Sequence, residues 1–110
     1  EPDVLSTCPI CDDAYYAYTT GMRMAVSDDR GTVKSYVGDY PVAVAGKTGT
    51  AQTGQFSGGT ELKNYWFAGF VPAEQPRYTI VVLQDTQAEP AFSSAAIFAR
   101  VAAGLEILAP

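Results

Sequence analysis

Apolar and polar positions divide the chain into stretches of distinct period. Residues 1–11 (EPDVLSTCPIC) have no period and hold two prolines, which predicts an extended lead-in. Tyr15, Tyr18, Met22 and Val26 then recur at spacings of three and four, predicting a helix over 12–27 with one apolar face. Asp12 and Asp13 suit its capped, electropositive start, and Asp28-Asp29-Arg30-Gly31 is a stop and turn. Gly21 inside the pattern weakens it slightly.

Residues 42–52 (VAVAGKTGTAQ) open on a Val/Ala run and predict a strand; 53–63 (TGQFSGGTELK), with three glycines, predict a loop. The segment 64–71 (NYWFAGFV) is apolar at both parities, as in a strand covered on both faces, with Gly69 a position of close packing. A short link, 72–77, leads to 78–84 (YTIVVLQ), the clearest strand. Pro90 suits the first residue of a last helix, whose Ile97, Val101, Leu105 and Leu108 form a stripe. Short links between strands imply antiparallel pairing. The expected fold class is therefore α+β, a three-stranded antiparallel sheet with flanking helices.

Composition narrows the chemistry. With 110 residues, 47% hydrophobic and 17% charged, the chain suits one domain or part of one. A net charge of −5 argues against nucleic acid as partner. Histidine is absent, so the commonest general base and metal ligand are missing together. Two cysteines do not make a four-ligand zinc site. No metal and no cofactor is expected. No run reaches the 18 or more apolar residues of a membrane span, and no signal-peptide pattern is present. The chain begins at Glu1 and reads as a piece of something longer.

The densest polar cluster inside an apolar strand is Gly46-Lys47-Thr48-Gly49-Thr50. A P-loop would need a glycine five residues before Gly46, where Pro41 stands, and a helix directly afterwards, where a glycine-rich stretch follows. The other reading is the Lys-Thr-Gly strand of serine acyl-transferases that attack β-lactams and D-Ala-D-Ala peptides. Those enzymes need a cation and hydroxyls for a substrate carboxylate, a glycine that lets substrate backbone approach, and a backbone N–H for an oxyanion hole. One strand with these residues in succession supplies each. Three such residues alone are equally compatible with a plain glycine turn on a strand.

The flanks extend the match. AVAGKTGTAQ, followed after the glycine-rich stretch by NYWFAGFVPAEQPRYTIVVLQD and preceded by GMRMAV and Gly31-Thr32, resembles the C-terminal part of the transpeptidase domain of class B penicillin-binding proteins. The resemblance runs over nearly the whole chain from about residue 14 and implies that 1–110 is the C-terminal portion of such a domain. It implies a parent that cross-links peptidoglycan stem peptides through a serine acyl-enzyme, binds β-lactams, and is membrane-anchored on the extracytoplasmic face. It also implies roles. Lys47 would contact the substrate carboxylate and the serine of a Ser-x-Asn motif, and Thr48 and Thr50 would offer hydroxyls to that carboxylate. The Thr50 N–H would form half of the oxyanion hole, and Gly49 would leave room for substrate lying along the strand.

The family's Ser-x-x-Lys nucleophile is missing: none of Ser6, Ser27, Ser35, Ser57, Ser93 or Ser94 has lysine three residues later, and no Ser-x-Asn occurs. The chain alone is thus expected to be inactive. Alternatives within the fold are a β-lactamase or a β-lactam sensor domain; outside it, a noncatalytic peptide-binding module. Cys8-Pro9-Ile10-Cys11 has the spacing of a redox dithiol but no preceding strand, so ordinary surface thiols or a static disulfide are expected. The family's sheet has five strands, and the two that would pair with 78–84 are missing here. The chain is therefore expected to self-associate through that strand, which carries no charge.

Overall fold

A computed structural model describes residues 1–37 and 43–108; Val42, the first residue of the predicted strand 42–52, lies outside them. The elements run α1 (Asp12–Ser27), α2 (Lys34–Val37), β1 (Ala45–Ser57), β2 (Thr60–Val71), β3 (Tyr78–Gln87) and α3 (Ser94–Leu108). The strands form one antiparallel sheet in the order β1-β2-β3, with helices flanking it, which is the expected α+β class.

The glycine-rich stretch 53–63 is not a loop. Ser57 pairs with Thr60 across Gly58-Gly59, whose φ values of +58° and +84° make the two-residue turn that matches the twist of a hairpin. Gly54, at φ +74°, sits where the register slips between Gln52 and Phe56, and the ladder resumes at Phe56 opposite Glu61. Two of the three glycines are a turn and one a bulge. Their density hides strand residues on either side. A few residues into β2, the Asn64 side-chain oxygen accepts from the Thr86 N–H at 2.8 Å, beside a second slip between Lys63 and Tyr65.

The core lies between one face of the sheet and the helices. Phe67 and Phe98 are fully buried, with ring centroids 4.8 Å apart and planes at 59°. Their space is set by Gly46 and Gly69, which face each other across β1 and β2. A Cβ on Gly46 would collide with the Phe67 ring, and one on Gly69 with the Ala45 carbonyl and, at 3.0 Å, the Phe98 ring. Val26, Val33, Val37, Val44, Val71, Ala95 and Ala102 complete the buried cluster.

Both long helices depart from the expected pattern. α3 buries Ala95, Phe98 and Ala102, whereas Val101 and Leu108 of the predicted stripe are 43% and 83% exposed. For Phe98 to reach the slot over the two glycines, α3 must approach the sheet closely, and only alanines one turn either side permit that. Nor does α3 start at Pro90. Ser93 Oγ accepts from the Ala96 N–H at 3.0 Å and caps a helix beginning at Ser94. Buried Ser94 Oγ donates to the Tyr65 carbonyl (2.8 Å) and accepts from Gln84 Nε2 (2.9 Å), tying α3 to β2 and β3. In α1 only Val26 of the apolar face is buried; Tyr15 and Tyr18 pack edge-to-face on each other at 5.4 Å and stay half exposed. The cap is Cys11 rather than Asp12 or Asp13, which occupy the first turn.

Among the described residues β3 pairs only with β2, so it forms an edge, and Val81 and Leu83 on its open face are 58% and 44% exposed. Such an edge recruits another strand. Sedimentation over a wide concentration range is expected to show a monomer passing to a dimer. A monomer at every concentration would mean that the chain shields this strand itself.

Candidate functional site

β1 is the other edge of the sheet, and Lys47, Thr48, Gly49 and Thr50 lie along it opposite Ala68, Phe67, Trp66 and Tyr65 of β2. Strand alternation separates neighbouring side chains. Lys47 borders a recess of about 450 Å³ with Met24, Ala25, Gly31 and Thr32. Thr48, Gly49 and Thr50 border another, of about 410 Å³, with Thr32, Tyr65, Trp66 and Ser93. The structure thus brings the four predicted residues to one strand but divides their side chains between two recesses. Thr32 is common to both.

Thr32 was not singled out by reasoning from residue chemistry. It reaches this position because α1 ends in a tight turn. The Gly31 N–H donates to the Asp28 carbonyl at 2.8 Å, and a Cβ on Gly31 would lie 2.5 Å from the carbonyl oxygens of both Met24 and Ala25. Only glycine lets the chain fold beneath the helix end there. The Val33 N–H then donates to the Ala25 carbonyl at 3.1 Å, holding Thr32 beside β1. The glycine after the helix stop is the signal that pointed to this turn.

Lys47 is exposed, and its Nζ donates to the carbonyl of Thr48 at 2.7 Å. Among the described residues the ion pairs are Arg23 with Glu74 and Arg30 with Asp28, each at 3.5 Å. Asp28, on the border of the same recess, is therefore engaged by Arg30, and among the described residues no carboxylate pairs with Lys47. Gly49 differs from Gly46 and Gly69. Its φ is not positive, and a Cβ placed on it would meet its nearest neighbour, Trp66 Cβ, at an ordinary 3.5 Å. Nothing within the fold requires a glycine at 49, although glycine inside a strand costs stability.

Among the described residues no group of three or more His, Cys, Asp or Glu side chains is placed to hold a metal ion. Cys8 and Cys11 are both free and exposed.

A three-stranded antiparallel sheet flanked by helices is the fold found in penicillin-binding transpeptidase neighbours. Residues 1–103 match the family model described as the penicillin binding protein transpeptidase domain, and the chain belongs to that family. Solved structures similar to it are penicillin-binding proteins. PBP-2B of Streptococcus pneumoniae shares 17% identity over 96% of this chain, with a TM-score of 0.83. PBP2 of Helicobacter pylori, solved in complex with MreC, shares 23% over 88%, with a TM-score of 0.73. PBP2 of Pseudomonas aeruginosa shares 25% over 98%, with a TM-score of 0.67. This chain covers 17%, 18% and 22% of those three chains respectively. No curated protein sequence matches it. Among the described residues no helix is long and apolar enough to cross a membrane.

Proposed function

We propose that the chain is the C-terminal part of the transpeptidase domain of a class B penicillin-binding protein, and that β1 is the strand on which the substrate is held. The observation that carries this reading is Gly49: a mid-strand glycine that packing does not need, beside a lysine that pairs with no carboxylate among the described residues, on a strand that among them pairs on one side only. A missing side chain at 49 permits an extended peptide to lie against the strand as an added strand.

The two recesses support one place for the anion. Lys47 and the hydroxyls of Thr48 and Thr50 project to opposite faces, so one carboxylate meets both only at the edge of β1, where the faces join. In this arrangement Lys47 supplies the charge and Thr48 and Thr50 the hydrogen bonds. The Thr50 N–H polarises the carbonyl under attack, stabilising the oxyanion as it forms. The nucleophilic serine and its lysine, in a Ser-x-x-Lys motif, come from another part of the full-length protein. Its oxygen attacks the penultimate D-Ala carbonyl, terminal D-Ala leaves, and an amine on a neighbouring stem takes the acyl group. The full-length protein works at the extracytoplasmic face of the cell membrane and is anchored there.

Intact-mass measurement after incubation with penicillin tests the assignment. The 110-residue chain is expected to keep its mass, and the full-length protein to gain one acyl group. A stoichiometric adduct on the chain alone would place the nucleophile among its own residues and sink the reading.

A further inference from the structure

Three threonines border the recess of about 410 Å³ beside β1, Thr48 and Thr50 on the strand and Thr32 off it, and among the described residues their hydroxyls make no hydrogen bond. The serines and the glutamine of that recess are engaged. Ser93 Oγ accepts from the Ala96 N–H, and Gln84 Nε2 donates to Ser94 Oγ at 2.9 Å. Elsewhere Thr19 and Ser27 turn their hydroxyls back on α1 carbonyls, at 2.7 and 2.9 Å. The Thr32 hydroxyl has no such use, and packing does not select threonine there either. It is exposed, between Gly31, which the turn requires, and Val33, which is 2% exposed. Of the residues bordering the two recesses, Thr32 alone borders both, so it stands at the seam between the Lys47 face of β1 and the Thr48 and Thr50 face. Its backbone is fixed from both sides: the Gly31 N–H is bound to Asp28, and the Val33 carbonyl accepts from the N–H groups of Tyr36 and Val37 at 3.0 and 3.1 Å.

We propose that Thr32 is a substrate-binding residue whose hydroxyl donates to the substrate carboxylate from outside the strand, completing an anion site with Lys47, Thr48 and Thr50. This rests on the reading of β1 as the strand that holds the substrate. A carboxylate offers about four lone-pair sites on two oxygens. Lys47, Thr48 and Thr50 all approach from one strand, and a donor on another element reaches lone pairs turned away from it. The two recesses suit an anion: among the described residues no carboxylate lines the one beside Thr48, and Asp28 of the other is engaged by Arg30. The hydroxyl is also preorganised. Its backbone is fixed by the turn, and a β-branched side chain has few rotamers to lose on binding. A hydrogen bond to an ionised carboxylate is stronger than one to an ester or amide carbonyl, so Thr32 sets specificity for a free carboxylate as well as affinity.

The test compares acylation of the full-length protein by penicillin and by penicillin methyl ester, in which the carboxylate is masked. Thr32→Val keeps the shape and deletes the hydroxyl, and is expected to slow acylation by penicillin about tenfold or more, the effect of losing a hydrogen bond to a charged group. Thr32→Ser keeps the hydroxyl and is expected to stay within about threefold of the parent. With the methyl ester both variants are expected to react at the parent's rate, which a purely structural role for Thr32 would not give. Thermal denaturation is expected to be the same for all, since the side chain is exposed. Thr32→Ala, which also lacks the hydroxyl, decides the matter if valine disturbs the turn. The proposal is overturned if removing the hydroxyl leaves acylation by penicillin within about threefold of the parent. It is equally overturned if Thr32→Ser is slowed as much as Thr32→Val, or if the methyl ester shows the same loss. Lys47→Ala measured in parallel separates the two readings. If it is slowed and Thr32→Val is not, Thr32 leaves the site and β1 remains the substrate strand; if neither is slowed, both readings fall.

Discussion

Replacing Phe67 by alanine is expected to cost about 3–5 kcal/mol, enough to remove most or all of the folded population. Phe67 is fully buried, stacks on Phe98, and occupies the slot above Gly46 and Gly69. The slot does not collapse easily, because its floor is backbone on two paired strands. Removing the ring therefore leaves a cavity as well as losing apolar burial. The Phe98 ring loses its partner too, and with it one of the contacts by which α3 is held to the sheet. Urea denaturation followed by circular dichroism checks this, with Phe67→Leu as a variant that refills part of the space and is expected to lose less. A loss below about 1 kcal/mol for Phe67→Ala would show that these rings do not organise the core.

In the full-length protein, Lys47→Ala is expected to lower the rate of acylation by penicillin on the order of 10²-fold or more, the effect of deleting one electrostatic contact to a reacting centre. The fold is expected to be unaffected. Lys47 is exposed, and among the described residues its Nζ bonds only the carbonyl of the next residue. Gly49→Ala is a useful companion, because the added methyl meets only Trp66 Cβ at 3.5 Å and leaves packing intact while occupying the edge where substrate lies. Acylation kinetics and thermal denaturation of the same samples separate the two effects. Acylation within about twofold of the parent for Lys47→Ala, with the fold retained, would remove this lysine from the site.

The candidate site was legible because its chemistry is concentrated in one strand. Lys47, Thr48, Gly49 and Thr50 are consecutive, so no tertiary contact is needed to bring them together, and the structure keeps them in one ladder. The separation of Lys47 from Thr48 and Thr50 also follows from strand alternation. Thr32 is different: it joins the site through the turn at Gly31, which lies against the carbonyls of Met24 and Ala25 at the end of α1.

Sequence alone determined the number and order of the main elements and the antiparallel pairing, and it named the candidate site residues. Each rests on local information: period, turn residues and short connections. Tertiary structure decided which face of a helix is buried and where strands end. In α3 the large side chains of Ile97 and Val101 outweigh Ala95 and Ala102 in any count of hydrophobicity, yet the alanines are buried. The helix sits where Phe98 fits the space above two facing glycines, and that space is formed by pairing residues 46 and 69, far apart in the chain. The same holds for 53–63, where glycines that read as a loop become a turn and a bulge once Phe56 and Ser57 find Glu61 and Thr60 across the hairpin. Periodicity records the volume and polarity of side chains one segment at a time; burial depends on the shape of the surface that meets them.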